Sequence, residues 1–306
     1  MATDEGCRLG ATAPISTLAL TQLIDTGGTF PQPGSGPATN VMAMVHTLAG
    51  NLPAFGASTC AGQLLPVMTH QAMFSLLGMS YGGDGMRQFG LPDLRGHTPI
   101  GGGPNEGRTA SALGMTYMIA FGEAFASDAY PMVGALGLFA GLNPPPGWLV
   151  ADGSILPLSQ YVPLFEAIGT TFGGNGATIV QLPDLQGRAA VGAGQGPAVS
   201  IALGQKVDVG PDTPVSCIGL NYIINVSGGP PPASGDGAFP NSASVLSEVV
   251  AYAGANIPAG WLPCDGREMP VTGNEALFQL IGTTFGGNGE TSFALPDLRC
   301  NLVTGV

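Results

Sequence analysis

Tyr81-Gly-Gly-Asp-Gly-Met-Arg-Gln-Phe-Gly-Leu-Pro-Asp93 returns twice in the same chain, as Phe172-Gly-Gly-Asn-Gly-Ala-Thr-Ile-Val-Gln-Leu-Pro-Asp184 and as Phe285-Gly-Gly-Asn-Gly-Glu-Thr-Ser-Phe-Ala-Leu-Pro-Asp297. No gap is needed between the aromatic and the proline in any copy. Such a match, three times over, makes internal repetition the first fact about the fold. The likeness runs upstream through Phe74-Ser-Leu-Leu-Gly78, Phe165-Glu-Ala-Ile-Gly169 and Phe278-Gln-Leu-Ile-Gly282. Before these, Gly62, Gly153 and Gly266 stand ahead of Pro66, Pro157 and Pro270. Earlier still, Pro146-Gly-Trp148 corresponds to Pro258-Ala-Gly-Trp261. Copy one departs here, with Ala57 at the Trp position and Ala61 where the others have Asp152 and Asp265, so it reads as degenerate.

A second element recurs between these segments. Gly219-Leu-Asn-Tyr-Ile-Ile-Asn225 resembles Gly114-Met-Thr-Tyr-Met-Ile-Ala120, and Ala19-Leu-Thr-Gln-Leu-Ile-Asp25 is a weaker third copy. Each reads as a short apolar strand followed by a Gly/Pro/Ser-rich loop. A further strand is expected over Val41–Leu48, Met132–Phe139 and Val245–Tyr252. The chain therefore divides into an N-terminal arm, 1–16, and three modules, 17–109, 110–213 and 214–306. A strand of the first kind precedes every module and none follows the third. The N-terminal strand Leu20–Ile24 is thus expected to complete the last module, closing a sheet edge that would otherwise template aggregation.

Within a module, a short helix of about ten residues follows the bends. In copy three, Thr272-Gly-Asn-Glu275 fits a capping box. Ala276, Leu277, Leu280 and Ile281 supply the apolar face, and Gly282 the stop. Ser159 and Gly169 bracket the second helix, Thr69 and Gly78 the first. Gly82, Gly83, Gly173, Gly174, Gly286 and Gly287 open loops dense in residues that accept positive φ. Pro92, Pro183 and Pro296 then fix an extended path into Asp93, Asp184 and Asp297. The fold class is mainly β with short helices, α+β and loop-rich.

Composition agrees. Gly 50 and Pro 27 make up a quarter of the 306 residues, and only 9% are charged. A helical bundle or coiled coil needs more Glu, Lys and Arg. Simple disorder needs low hydrophobicity and high charge, whereas 44% of this chain is hydrophobic. The net charge is −12 with Lys206 the single lysine, so no basic patch invites nucleic acid. No apolar run reaches the length of a membrane span. Met1–Gly10 lacks the basic start and apolar core of a secretory signal. Cys7, Cys60, Cys217, Cys264 and Cys300 are odd in number, so at least one is free or pairs between chains.

These motifs together resemble the phage tail collar domain and the bacterial group called microcystin-dependent proteins. The resemblance rests on Pro-Pro-Gly-Trp-Leu-x-x-Asp-Gly, x-Leu-Phe-x-x-Ile-Gly-Thr-Thr-Phe-Gly-Gly-Asn-Gly and Leu-Pro-Asp-Leu-x-Gly-Arg, and Leu220-Asn-Tyr-Ile-Ile is similar to the bacterial group's closing segment. It covers most of the chain. It implies a structural or adhesive role at the tip or collar of a fibre, without catalysis. Because the collar domain belongs to trimeric tips, three copies in one chain imply a covalent pseudo-trimer with modules around a pseudo-threefold axis. Some such tips hold metal through His-x-His. Here His46, His70 and His97 lack that spacing, so the family's metal site does not carry over.

Read for chemistry, the chain offers little. The Gly-Gly-Asn-Gly loop follows a helix and lacks the lysine of a phosphate loop, so it reads as a structural turn. Calcium at Asp84 or Asn175 would need tandem copies. Asp93, Asp184 and Asp297 are expected to bond nearby backbone N–H groups, with a cation on a threefold axis as the sharper alternative. Arg95 and Arg299, with Gln186 in copy two, are expected to bond loop carbonyls or acids. Trp148 and Trp261 are expected in the core, with sugar stacking as the alternative. No nucleophile–base–acid set is legible, and no unique polar cluster breaks the repeat. The expectation is no enzyme, no cofactor and no bound metal. The leading function is a structural subunit of an extracellular fibre or filament, self-assembling through low-charge surfaces and partnered by copies of itself. The alternative is a virion-associated adhesin recognising surface glycan.

Overall fold

The structure is a computed structural model and describes residues 7–8, 15–28, 30–31, 41–50, 57–104, 109, 111–121, 132–196, 199–208, 215–227 and 245–306. Most of the N-terminal arm 1–16 and most of the loops 26–40 and 227–244 lie outside these. Within the arm, Cys7–Arg8 pairs in parallel with Lys206–Asp208.

The fold is mainly β. Ten strands carry its logic: β1 Ser16–Asp25, β2 Met44–Leu48, β3 Thr98–Ile100, β4 Ala112–Gly114, β5 Thr116–Ala120, β6 Ala135–Phe139, β7 Arg188–Gly192, β8 Ser216–Asn225, β9 Glu248–Tyr252 and β10 Asn301–Gly305. Seven of them close into a barrel in the order β1, β2, β6, β9, β8, β7, β10 and back to β1. β9 in the barrel, and β5, which pairs antiparallel with β6 outside it, are buried at every residue.

The register repeats from copy to copy. Met44 pairs with Phe139, Ala135 with Tyr252, and Glu248 with Leu48. In each case the first residue of one strand meets the last residue of another, and the three pairings run in a cycle through β2, β6 and β9. A second set does the same in parallel pairs, with Thr98 beside Ala112, Ala189 beside Cys217 and Leu302 beside Thr17. The first strand thus lies along the last module in the register that β4 and β8 adopt against β3 and β7.

Glycine makes the closure possible at three matching positions. A Cβ on Gly101, Gly192 or Gly305 would overlap the backbone carbonyl of Leu185, Leu298 or Leu94. The chains also bridge there, Gly101 with Gln186, Gly192 with Arg299 and Gly305 with Arg95. None of these glycines has positive φ. They are required by close approach of one module's backbone to another's.

The helices α1 Gln71–Leu77, α2 Val162–Ile168 and α3 Glu275–Ile281 are seven residues each, shorter than expected. Each buries one i, i+4 pair: Met73 and Leu77, Leu164 and Ile168, Leu277 and Ile281. The wider face drawn through Ala276 is corrected, since Ala276 is exposed. The capping box is corrected too. Asn274 N–H donates to Val271 O, closing a turn over Thr272 and Gly273, so the helix begins at Glu275. Gly273 N–H donates to Glu275 Oε1 at 2.9 Å, and no side chain caps the end. Gly78, Gly169 and Gly282 do end the helices, at φ 54, 58 and 59° with ψ −132 to −141°, backbone open to glycine rather than a left-handed helical cap. The strands β2, β6 and β9 begin three residues later than expected, after turns in which Ala43, Gly134 and Ser247 take φ of 72, 85 and 72°.

Candidate functional site

The repeated loops are built to hold themselves. Asp84 Oδ1 accepts from the N–H groups of Met86, Arg87 and Gln88 at 2.9, 2.7 and 2.9 Å. Asn175 Oδ1 does the same for Ala177, Thr178 and Ile179, and Asn288 Oδ1 for Glu290, Thr291 and Ser292. The three N–H groups hold the Asp84 carboxyl below the usual carboxylate range. This explains Asp or Asn at the loop's third position and leaves the same oxygen poorly placed for calcium. The flanking glycines serve the turn: Gly83, Gly174 and Gly287 have φ of 98, 96 and 91°, and a Cβ on any of them would run into the strand that follows the loop.

Asp93, Asp184 and Asp297 each act inside their own module. Asp93 Oδ1 accepts from the N–H and Nε of Arg95 at 3.2 and 2.9 Å, and Oδ2 from Nη2 at 2.8 Å. Asp297 grips Arg299 in the same fork, at 3.1, 2.9 and 2.6 Å. In copy two Gln186 cannot supply the guanidinium. Arg188, two residues on, replaces it and reaches Asp184 Oδ2 at 2.5 Å. The Arg95 and Arg299 side chains hold the Asp93 and Asp297 carboxyls below the usual range. Such part-exposed pairs contribute little to stability. Trp148 and Trp261 are buried, at 4% and 6% exposure, and present no ring face to solvent.

The expectation that no unique polar cluster breaks the repeat is corrected. Asp25, His46 and Glu248 come together in the core from β1, β2 and β9, all nearly inaccessible. His46 Nδ1 lies 2.9 Å from Glu248 Oε1, and Nε2 lies 3.1 Å from Asp25 Oδ2. Burial alone would push the imidazole pKa down. The charges and hydrogen bonds of Asp25 and Glu248 outweigh that and hold it up to about 10. His46 is therefore an imidazolium at neutral pH, donating from both nitrogens.

The repeat explains the location. Gly137 is copy two's equivalent of His46, and a side chain there would meet Trp148 and Met44 Cε, each at 2.9 Å. Copy one has Ala57 in place of that Trp, and Glu248 occupies the position corresponding to Met44 on the neighbouring strand. Ala57 pairs directly with Asp25. The ionic triad thus fills the seat left by the missing indole. The signal was present in the sequence, as three charged or titratable residues on strands whose counterparts are Ala120 and Asn225, Gly137 and Val250, and Met44 and Ala135.

His46's folded pKa lies above its ordinary value of 6.5, so its contribution is fully present below pH 6.5 and is lost as pH rises through about 10. Melting temperature is expected to fall across that window by an amount equivalent to a few kcal/mol. A His46→Gln variant should show a flatter profile by calorimetry, and a profile unchanged by that substitution would count against the assignment.

The same strand departs once more. Gln22 stands where the other copies have Tyr117 and Tyr222, whose hydroxyls donate to Pro99 O at 3.4 Å and Ala190 O at 3.2 Å. The shorter side chain leaves both amide atoms of Gln22 buried without a hydrogen-bond partner and a lumen cavity of about 40 Å³, space for ordered water. Cys60, Cys217, Cys264 and Cys300 are all buried. Among the described residues, no group of three or more His, Cys, Asp or Glu side chains is arranged to hold a metal ion. No helix among them is long and apolar enough to cross a membrane.

A family model described as the phage tail collar domain matches the chain three times, at residues 43–99, 134–190 and 247–303. No curated protein and no solved structure matches it.

Proposed function

The chain belongs to the phage tail collar family, matched over more than half of its length, and from that premise we propose that it is a non-enzymatic structural subunit of a phage tail or fibre that assembles with copies of itself. The single observation that carries the reading is the threefold match combined with cyclic strand pairing. One chain supplies what three collar chains would, as a covalent pseudo-trimer with its modules around a pseudo-threefold axis. The low charge then has a use. Met68 and Met86 are each 85% exposed, Ile155 61% and Leu64 53%, and exposed apolar side chains on a chain with 9% charged residues suit partner contacts.

The glycan-binding reading draws on the two repeated Trp for sugar stacking, and both indoles are buried, so the structural reading is preferred. The triad has its two imidazole nitrogens committed to carboxylates and serves packing. Negative-stain electron microscopy and sedimentation of purified protein at neutral pH test the proposal. Fibres, rods or discrete oligomers are expected, and antibody labelling should place the chain on virion or fibre fractions. Dispersed monomers at high concentration would sink the self-assembling part.

A further inference from the structure

We propose that the seam between module 3 and module 1 exchanges between copies, so that β9 and β10 of one chain close on β2 and β1 of a second copy. The inference rests on the self-assembly reading and names the surface responsible.

The three seams of the ring are alike in pairing and unlike in connectivity. Module 1 runs covalently into module 2, β3 through a short connection into its parallel partner β4. Module 2 runs covalently into module 3, β7 through a longer connection into β8. The third seam joins β10 to β1, strands from opposite ends of the chain, and is held by non-covalent contacts alone. Those contacts include Ser16–Leu20 beside Asn301–Gly305, Glu248–Val249 against Thr47–Leu48, and the bonds of Gly305 N–H to Leu94 O and Gly96 N–H to Gly305 O, each 2.9 Å. Any second copy offers an identical set. Exchange of identical elements needs no new surface, and closure within or between chains is decided by effective concentration.

A second observation singles out the same seam. Glu248 of β9 reaches across it to His46 of β2, which Asp25 of β1 holds from the same side, while the matching positions of the other two seams are mostly apolar. In a ring of three similar seams, a buried polar set admits only its complement and penalises mating with the other two. A pair of ends that must find each other, within a chain or between chains, has use for such a key. The two covalent seams do not.

Single variants Ser16→Cys and Asn301→Cys, in a Cys7→Ser background, would be mixed, taken briefly above pH 10 to discharge His46, returned to neutral pH at high concentration and treated with a short bis-maleimide. Ser16 is exposed and Asn301 is half-buried, and they are direct partners in the register. The expected result is a covalent dimer in the mixture and none in either variant alone. The double variant on one chain, cross-linked while dilute, should remain monomeric and lose the capacity to form assemblies. Melting curves of the uncross-linked variants check folding. Assemblies that form without the mixed cross-link, or as readily from the locked double variant, overturn the exchange and leave the structural reading standing. Absence of both assemblies and cross-link under every condition overturns both.

Discussion

Replacing His46 by alanine is expected to destabilise the protein by about 3–5 kcal/mol, because it leaves two carboxylates buried without their shared cation. Asp25 and Glu248 are almost fully inaccessible, and Asp25 Oδ1 already lacks a hydrogen-bond partner. Neither can turn to solvent. A second variant separates this account from a general intolerance of core changes. Asp25→Ala, His46→Gly, Ala57→Trp and Glu248→Met together import copy two's arrangement of Ala120, Gly137 and Trp148, with copy one's Met44, into the third seam. Buried ion networks replaced by well-packed apolar groups are often neutral or gain roughly 1–4 kcal/mol. The fourfold variant is therefore expected to match or exceed the native chain, although it changes four core residues where His46→Ala changes one. Urea denaturation of the three proteins checks the order. A fourfold variant as weak as His46→Ala would mean that the triad does not stand in an indole's seat. If seam exchange operates, the fourfold variant should also mis-pair more readily, since all three seams would then be apolar.

The contrast between these residues and the rest of the chain shows what could be read from sequence. The Gly-Gly-Asp/Asn-Gly loops were legible because one oxygen accepting three consecutive N–H groups is a local matter, encoded within a few residues. The alignment of β1 with the last module was legible from order alone, since every module is preceded by the same kind of strand. The triad was not. Glu248 lies 202 residues from His46 and meets the Asp25–His46 pair of β1 and β2 only because the ring closes. Copy one's missing Trp is visible in the sequence as Ala57, which by itself reads as degeneracy; only the register of Asp25 with Ala57 and of Glu248 with Leu48 shows that the loss is filled. The helix starts failed for the opposite reason. Thr272 and Glu275 have the spacing of a capping box, but the turn closed by Asn274 on Val271 competes for the same backbone and wins. Arg188 is a similar case: Gln186 is expected to share the role of Arg95 and Arg299, and Arg188, two residues on, pairs with Asp184 instead.

Gly192→Ala is expected to cost about 3 kcal/mol or more, and Gly192→Val to prevent folding. The reason is geometric. A methyl on Gly192 would sit on the carbonyl of Leu298, and no flexible side chain is there to yield. Relief would require moving module 3 away from module 2, breaking the bond from Cys300 N–H to Gly192 O at 2.8 Å. Gly282→Ala provides the control. Nothing lies within 4 Å of a Cβ at Gly282, but its φ is 59° with ψ −141°, so alanine there costs the roughly 1–3 kcal/mol of a sparsely populated backbone region and no overlap. If glycine in this chain served chiefly to make turns, Gly282→Ala would be the more damaging change, because Gly192 has no positive φ to accommodate. If glycine also lets modules approach backbone to backbone, Gly192→Ala is worse, and Gly101→Ala and Gly305→Ala should follow it. Chemical denaturation of the four single variants decides between these. The sum matters for assembly too: Gly305 belongs to the seam without a covalent link, so Gly305→Ala should weaken ring closure within a chain and between chains alike, lowering both melting temperature and fibre yield.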